Sequence, residues 1–270
     1  MTKALRTMKA ESGLADIIVY VLDARIPNAC INKSFDAVIG QKPVLFVLNK
    51  TDLADERKTA LWVAHFRQNG HNVVAVNGSD SVSAKAILTA LNGIENKRAE
   101  RFESKGAFVP KRVMVVGIPN SGKSTIINTL CGRKTTVTGN KPGVTRGKQW
   151  VRLQNGLELM DTPGTLYPSF DDQKKAALLA FIGSVKDDIL DVNELALELV
   201  GALDSQYGVR FREKYGIDAE TTSPEEIMKK ICIKKGCLLK GGEPDIERGS
   251  KAIVDDFRKA RIGKMTLELP

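Results

Sequence analysis

The first part of the chain alternates between short apolar runs and stretches of helical periodicity. Apolar runs at residues 16–22, 43–48, 73–76 and 112–116 predict buried strands. Helical patterns at residues 1–13, 55–68, 83–91 and 123–130 lie between and beside them, and a turn at Pro27-Asn28 leads into a further helix that ends at Gly40. Residues 149–153 and 157–160 predict a hairpin around Asn155-Gly156. This alternation predicts a doubly wound α/β sheet.

The pattern changes after Pro168, where the strand-like runs stop. Helical periodicity then covers residues 171–182, 190–203, 208–214, 224–235 and 245–260. Ser223 followed by Pro224 is a good helix start, because serine caps the first turn and proline suits the first helical position. We therefore predict two domains, with the sheet in residues 1–168 and an all-helical domain in residues 169–270.

The composition is that of an ordinary globular protein. The 270 residues are 42% hydrophobic, which is enough for a substantial core. The longest apolar run, residues 17–22, is far shorter than the roughly 20 residues that span a bilayer, and no signal-peptide pattern opens the chain. Four scattered cysteines predict reduced thiols. We expect a cytoplasmic protein without membrane association.

Residues 117–124 read Gly-Ile-Pro-Asn-Ser-Gly-Lys-Ser and lie between a predicted strand and a predicted helix. This is the P-loop pattern in its structural context, in which backbone N–H groups and a helix start bind phosphate oxygens. We expect Lys123 to bridge the β- and γ-phosphates and Ser124 to bind Mg²⁺. The predicted nucleotide contacts from this segment are Pro119, Asn120, Ser121, Gly122, Lys123, Ser124 and Thr125.

Two later segments predict contacts to magnesium and the γ-phosphate. Asp161, Thr162, Pro163 and Gly164 end the predicted hairpin, where the Asp161 carboxylate can hold Mg²⁺ through water and the Gly164 N–H can bind the γ-phosphate. Thr145 lies in the non-periodic segment 133–147, and its hydroxyl can complete the Mg²⁺ shell. The predicted catalytic set is Lys123, Ser124, Thr145 and Gly164, and the predicted Mg²⁺ ligands are Ser124, Thr145 and Asp161.

Residues 49–52 read Asn-Lys-Thr-Asp directly after a predicted strand. The Asp52 carboxylate can accept hydrogen bonds from N1–H and the 2-amino group of guanine, a donor pair that adenine lacks. The Lys50 stem would lie over the base, Asn49 would brace a neighbouring loop, and Thr51 completes the motif. Asn77 and Gly78 are an imperfect match to the element that contacts guanine O6. The set predicts GTP and GDP as ligands. An ATP-using enzyme is the alternative, and it would require that residues 49–52 match the guanine-binding motif by chance.

The order of these motifs is circularly permuted, because residues 49–52 precede the P-loop. A sheet tolerates this when the original termini lie close together. In this order the sequence resembles the circularly permuted bacterial GTPases, and most of all the ribosome biogenesis GTPase A (YlqF) family. The matching segments are residues 23–27 (Asp-Ala-Arg-Ile-Pro), 117–120, 241–245 (Gly-Gly-Glu-Pro-Asp) with Arg248, 256–258 and 263–264, and the similarity covers almost the whole chain.

The resemblance implies a GTPase that acts in maturation of the large (50S) ribosomal subunit, with a helical domain that touches rRNA and a monomeric state off the ribosome. It also implies that Asn120 helps to coordinate K⁺ beside the phosphates. The net charge of +9 fits a polyanionic partner, although charge runs are also common on solvated faces. The basic residues expected to line RNA phosphates are Lys229, Lys230, Lys234, Lys235, Arg248, Lys251, Arg258 and Lys259.

Two features of the sequence are unusual: the start of the chain departs from the family, and the segment after Gly164 lacks a glutamine, an absence that the family shares. The family usually opens with Pro-Gly-His-Met, whereas residues 1–4 resemble the family's segment directly after that histidine, which implies a truncated chain or a misassigned start. Thr165 and Leu166 come after Gly164, so no glutamine is present there to order the attacking water. Two hypotheses therefore stay open: a GTP-hydrolysing assembly factor, and a GTP-dependent binding switch for RNA or protein with little hydrolysis.

Overall fold

The computed structural model describes residues 3–95, 98, 109–132, 149–153, 156–162, 172–185, 191–221 and 223–270. One six-stranded sheet has the order β3-β2-β1-β4-β6-β5. All neighbouring pairs are parallel except β5 and β6, which form the predicted antiparallel hairpin. The strands are β1 (Ile17–Asp23), β2 (Val44–Asn49), β3 (Asn72–Ala75), β4 (Lys111–Val116), β5 (Gln149–Arg152) and β6 (Leu157–Asp161).

Helices surround this sheet and form the C-terminal part of the chain. In the described residues they are α1 (Lys3–Ser12), α2 (Pro27–Cys30), α3 (Asp36–Ile39), α4 (Glu56–Gln68), α5 (Ser81–Asn92), α6 (Lys123–Cys131), α7 (Gln173–Phe181), α8 (Val192–Tyr215), α9 (Pro224–Lys235) and α10 (Ile246–Arg258). Ser223 caps α9 and Pro224 is its first residue, as predicted.

One detail of the sequence prediction was wrong. Pro27-Asn28 is not a turn but the start of α2, with proline at the first helical position, where its missing N–H costs nothing. The separate helical patterns at 190–203 and 208–214 are confirmed, because α8 consists of two helical stretches joined across a kink. The kink lies at Tyr207, whose φ of −135° and ψ of 26° are not helical.

The two faces of the sheet bury different sets of residues. In β1, Ile17, Val19 and Val21 face a core shared with α5 and α6. The alternate residues, including Ile18 and Leu22, face a larger core that contains side chains of α1, α4 and the helices α7 to α10. Every residue of β1 is buried, and residues 17–22 accordingly form a continuous apolar run without alternation before the strand ends at Asp23. Helices on both faces confirm the predicted doubly wound α/β fold.

The carboxyl ends of β1, β2 and β4 lie side by side. Asp23 at the end of β1 is in register with Asn49 at the end of β2, and Tyr20 is in register with Val116 of β4. Since these strands are parallel, the loops that come after them meet at one edge, which is where open α/β sheets bind ligands.

The predicted domain boundary at 168/169 falls outside the described residues and stays a prediction. In the part that is described, pairing beyond β6 is limited to one isolated bridge between Leu238 and Pro244. The tail after α10 returns to the sheet loops, where Met265 N donates to Leu53 O at 3.2 Å. Among the described helices, none is long and apolar enough to cross a membrane.

Candidate nucleotide-binding site

The P-loop main chain is packed so closely that only glycine fits at two positions. Gly117 and Gly122 have φ of 153° and 96°. A Cβ at Gly117 would lie 2.5 Å from Val21 O, and one at Gly122 would lie 2.2 Å from Asn49 Nδ2. Gly122 directly precedes α6, so the positive N-terminal end of this helix lies beside the loop. The result is a backbone cradle with a positive helix end, which suits phosphate oxygens.

Lys123 points into the loop that precedes it. Its side chain is 6% exposed, and Nζ donates to Ile118 O at 2.8 Å. Ser121 Oγ donates to the same carbonyl at 3.0 Å. Ser124 and Thr125 are half-buried in the first turn of α6. The Lys123 ammonium group and the Ser121 hydroxyl therefore meet at one main-chain carbonyl, that of Ile118.

Asn49 joins the P-loop to the loop after β3. Its Nδ2 donates to Ser121 O at 2.8 Å, and its Oδ1 accepts from Gly78 N at 2.8 Å. A Cβ on Gly78 would lie 2.6 Å from Asn49 Oδ1, so the loops touch with no room for a side chain. Asn49 is 2% exposed. In this arrangement the Gly78 N–H is already paired with Asn49, and the Asn77 side chain accepts from Ser79 N and Ser79 Oγ.

Lys50 extends from the end of β2 to the P-loop. Its backbone has a positive φ of 64°, and its Nζ donates to Asn120 O at 2.5 Å. The same ammonium group lies 3.1 Å from Asp23 Oδ2. Thr51 N donates to Val76 O at 3.2 Å, and Asp52 is exposed at the rim of the same loop. The Lys50 side chain thus reaches from the loop that carries Asp52 to the main chain of the P-loop.

Asp23 and Arg25 form a buried ion pair beneath Lys50. Arg25 Nε and Nη2 donate to the two carboxylate oxygens at 2.9 and 2.8 Å, and both residues are at most 2% exposed. Burial by itself raises the pKa of Asp23, but the charges of Arg25 and Lys50 outweigh it and hold that pKa well below its usual range. The carboxylate is therefore ionised at neutral pH.

The P-loop also contacts the turn at the end of α7. Asn120 Nδ2 donates to Gly183 O at 2.5 Å, and Ser184 Oγ donates to Pro119 O at 2.8 Å. Arg258 holds the same helix end, with Nη2 donating to Ala180 O at 2.8 Å. These contacts join the phosphate cradle to the C-terminal helices.

The Arg25–Asp23 pair connects to the same helices. Arg25 Nη1 donates to Arg258 O at 3.2 Å, and the Arg25 guanidinium lies 5.5 Å from the ring centre of Phe257. Lys50, Asp23, Arg25, Arg258 and the turn after α7 therefore form a closed path of polar contacts that begins and ends at Asn120.

Relatives with established names share this architecture. A family model described as "50S ribosome-binding GTPase" matches residues 112–227. Ribosome biogenesis GTPase A of Bacillus cereus is 36% identical over 100% of this chain and 92% of its own length. The protein of that name from Thermotoga maritima is 32% identical over 99% of this chain and 91% of its own. The chain belongs to the ribosome biogenesis GTPase A family. The family expected from the motifs is thereby confirmed.

Solved structures agree with this assignment. A GDP-bound YlqF structure has a TM-score of 0.72 and 30% identity, and the match covers 98% of this chain and 99% of that one. A GNP-bound YlqF from Thermotoga maritima has a TM-score of 0.71 and 30% identity, with coverage of 100% and 99%. The predicted P-loop GTPase fold with a permuted motif order is confirmed, and the chain is a guanine nucleotide-binding protein of this family.

The structure brings together most of the predicted site residues of this family member. Residues 49–52, 77–78 and 119–125 meet at one edge of the sheet. Asp161 ends β6, in register with Val115 of β4, and only its backbone is described. Thr145 and Gly164 lie outside the described residues, so their predicted roles stay predictions.

The predicted RNA-facing residues differ in where their side chains point. Lys229, Lys234, Arg248 and Lys251 are exposed on α9 and α10. Lys235 is bound at 2.5 Å by the buried Asp256 carboxylate. Arg258 is directed inward to the carbonyl groups at the end of α7, so its expected place on an RNA-facing surface was wrong.

Sequence reasoning missed the residues that hold the site loops from behind. Asp23 and Arg25 were singled out only through the family resemblance. Two oppositely charged residues, two positions apart at the end of a buried strand, are themselves an indication of a buried ion pair. Ser184 and Thr266 gave no signal, because the site-loop residues that they contact, Pro119 and Asp55, lie 65 and 211 residues away along the chain.

Proposed function

We propose that this protein binds GTP and GDP at the loops after β1 to β4, hydrolyses GTP, and assists assembly of the large ribosomal subunit. One structural observation carries the nucleotide part: Asn49 ties the glycine-tight P-loop to the loops after β2 and β3. Membership of the ribosome biogenesis GTPase A family supports the activity and the ribosomal role. The family model's description, which names the 50S subunit, supports the large subunit.

Each end of the nucleotide has its own set of residues in this proposal. The P-loop N–H groups and Lys123 bind the phosphates, as in other P-loop proteins. The Asp52 carboxylate accepts from N1–H and the 2-amino group of guanine. The stem of Lys50 covers the base, which agrees with its position between the Asp52 loop and Asn120 O. ATP offers the Asp52 carboxylate no such pair of donors, so the ATPase alternative is not favoured.

Magnesium and potassium belong to the proposal as well. Ser124 is the predicted Mg²⁺ ligand whose side chain is described, and its place beside Lys123 in the first turn of α6 fits that role. Thr145 and Asp161 would complete the set, and Asn120 would help to hold K⁺. Bound Mg²⁺ neutralises charge on the phosphates during transfer, which is mainly a matter of positioning and electrostatics.

The proposed partner is rRNA of the large subunit, and we propose that the protein works in the cytoplasm as a monomer when off the ribosome. Lys229, Lys234, Arg248 and Lys251 are exposed and basic, as phosphate-binding residues must be. The net charge of +9 also favours a polyanionic partner. The alternative, a switch with little hydrolysis, is less favoured because the relatives are named GTPases.

GTP turnover measured with and without 50S subunits tests the activity. Lys123→Ala should lower stimulated turnover at least about 100-fold, since the cation that stabilises the transferred phosphate is lost. Lys85→Ala, an exposed lysine on α5, is the matched control and should leave turnover unchanged. Normal turnover by Lys123→Ala would refute the site. Bound GTP without phosphate release on any particle would favour the switch.

Co-sedimentation with 30S, 50S and 70S particles tests the partner. We expect retention on 50S with a non-hydrolysable GTP analogue and weaker retention with GDP. Retention on none of the particles, in either nucleotide state, would refute the ribosomal role.

A further inference from the structure

The C-terminal tail contacts the main chain of the loop that carries Asp52. Met265 N donates to Leu53 O at 3.2 Å, and Leu267 N donates to Arg25 O at 2.8 Å. The tail therefore contacts the loop after β2 and the loop after β1 at the same time. We call residues 264–268 the C-terminal strap.

Thr266 is the centre of this strap, and it is fully buried. Its Oγ1 donates to Ala24 O at 3.0 Å and accepts from Asp55 N at 3.1 Å. One hydroxyl group thus bridges the two loops with a donated and an accepted hydrogen bond. Valine has the same shape but offers neither bond, whereas serine offers both.

Helix α8 fixes the main chain of Thr266. The Tyr207 hydroxyl donates to Thr266 O and accepts from Thr266 N, each at 2.9 Å. Burial raises the pKa of Tyr207 to about 12, so the hydroxyl keeps its proton at neutral pH. Lys58 Nζ donates to Thr266 O at 2.8 Å and lies 4.5 Å from the Tyr207 ring centre. The kink in α8 at Tyr207 lies at this contact.

The strap holds the Asp52 loop on one side, and Val76, the residue directly after β3, holds it on the other. Before Asp52, Thr51 N donates to Val76 O at 3.2 Å. After Asp52, the strap binds Leu53 O and Asp55 N. Asp52 itself is exposed, so these flanking anchors, and not packing of its own side chain, determine where its carboxylate lies.

We propose that Thr266 is a specificity-determining positioning residue, whose hydroxyl fixes the Asp52 loop so that the carboxylate meets both donors of guanine. The inference rests on the proposed role of Asp52 in reading the base. Guanine offers N1–H and a 2-amino group, whereas hypoxanthine offers only N1–H. Two simultaneous hydrogen bonds require closer alignment than one, so a loosened loop loses preference for GDP over inosine diphosphate (IDP).

The test compares the dissociation constants of GDP and IDP for the parent protein, Thr266→Val and Thr266→Ser. The GDP preference should fall about fivefold in Thr266→Val, the factor expected when one of two hydrogen bonds to the base is weakened. It should stay within about twofold of the parent in Thr266→Ser, and Thr89→Val on the exposed face of α5 should not change it. An unchanged preference in Thr266→Val overturns the inference, as does an equal loss of affinity for both nucleotides.

Two further measurements cover a Thr266→Val variant that does not fold. Tyr207→Phe removes the hydroxyl that holds Thr266 and should also lower the GDP preference; no change would overturn the inference. In the unaltered protein, saturating GDP should slow hydrogen exchange of the Met265 and Leu267 amides more than saturating IDP, because coupling is reciprocal. Equal protection would overturn it. Failure of the proposed function looks different, since a parent protein without GDP preference shows that Asp52 does not read the base.

Discussion

Gly122 and Asn49 offer a quantitative test of how the P-loop is held. Gly122 has φ 96°, and a Cβ there would lie 2.2 Å from Asn49 Nδ2, far inside van der Waals contact. The added methyl group must therefore push the Asn49 amide away from Ser121 O, its partner at 2.8 Å. If Asn49 is first shortened to alanine, nothing remains for the methyl group to displace. The effects of the two substitutions should not add.

The sizes of these effects can be worked out from the contacts. Asn49→Ala leaves Ser121 O and Gly78 N–H without their buried partner, which costs about 3 kcal/mol of folding free energy. Gly122→Ala costs about 1 kcal/mol for a left-handed alanine and about 2 kcal/mol for the displaced Asn49 amide. The double variant then loses only the backbone term beyond Asn49→Ala. We expect a coupling energy of about 2 kcal/mol between the two positions.

Urea unfolding of the nucleotide-free protein, monitored by circular dichroism, measures all four free energies of unfolding. Gly40→Ala supplies the matched control, because Gly40 also has a positive φ, 56°, but nothing lies within 4 Å of its Cβ position. Gly40→Ala and Asn49→Ala should be additive. Additivity within about 0.5 kcal/mol for the Gly122 and Asn49 pair would refute the idea that this asparagine holds the P-loop.

Three further predictions concern the buried carboxylate of Asp23, the carboxylate of Glu268 in the C-terminal strap and the contact of Ser184 with the P-loop. The pKa of Asp23 in the folded protein lies below its usual value, so the carboxylate stabilises the fold above the ordinary pKa of about 4, and this stabilisation is lost as the pH falls towards the folded pKa. Asp23→Asn should therefore lower the free energy of unfolding in urea more at pH 7 than at pH 3. An equal loss at both pH values would contradict this. Burial raises the pKa of Glu268 in the folded protein. The protonated side chain therefore stabilises the fold below the ordinary pKa of glutamate, and this stabilisation is lost as the pH rises through the pKa of the folded state. Glu268→Gln should therefore stabilise the protein at pH 7 but not near pH 3, whereas a pH-independent effect would count against it. Ser184→Ala removes a contact to the P-loop, and GDP release measured by stopped flow should become about fivefold faster; an unchanged rate would show that the turn after α7 does not support the P-loop.

The sequence predicted the sheet well because its strands are locally encoded. β1 is buried throughout, and a continuous apolar run bounded by charges is visible without any tertiary information. The interruption near Tyr207 was also predicted, because the helical periodicity breaks between residues 203 and 208. The contact made there was not predictable in the same way, because the Tyr207 hydroxyl pairs with Thr266, 59 residues later.

The candidate site likewise contains features that are encoded locally and contacts that are not. Residues 117–124 and 49–52 are short motifs whose spacing predicts their ligand. The contacts that hold them depend on residues far apart in sequence, such as the hydrogen bond from Arg25 to Arg258 O across 233 positions. No local pattern encodes such a pair, and burial of a charged residue becomes visible only when the partner's position is known.

Nucleotide selectivity at Asp52 tests the central claim most directly. The parent protein should bind GDP at least about 100-fold more tightly than ADP or xanthosine diphosphate, because the carboxylate pairs with two guanine donors. In Asp52→Asn the amide can donate to the 2-oxo group of xanthine, so the order of GDP and xanthosine diphosphate should reverse. If Asp52→Asn still prefers GDP as strongly as the parent protein does, Asp52 does not read guanine, and the account of this site is wrong.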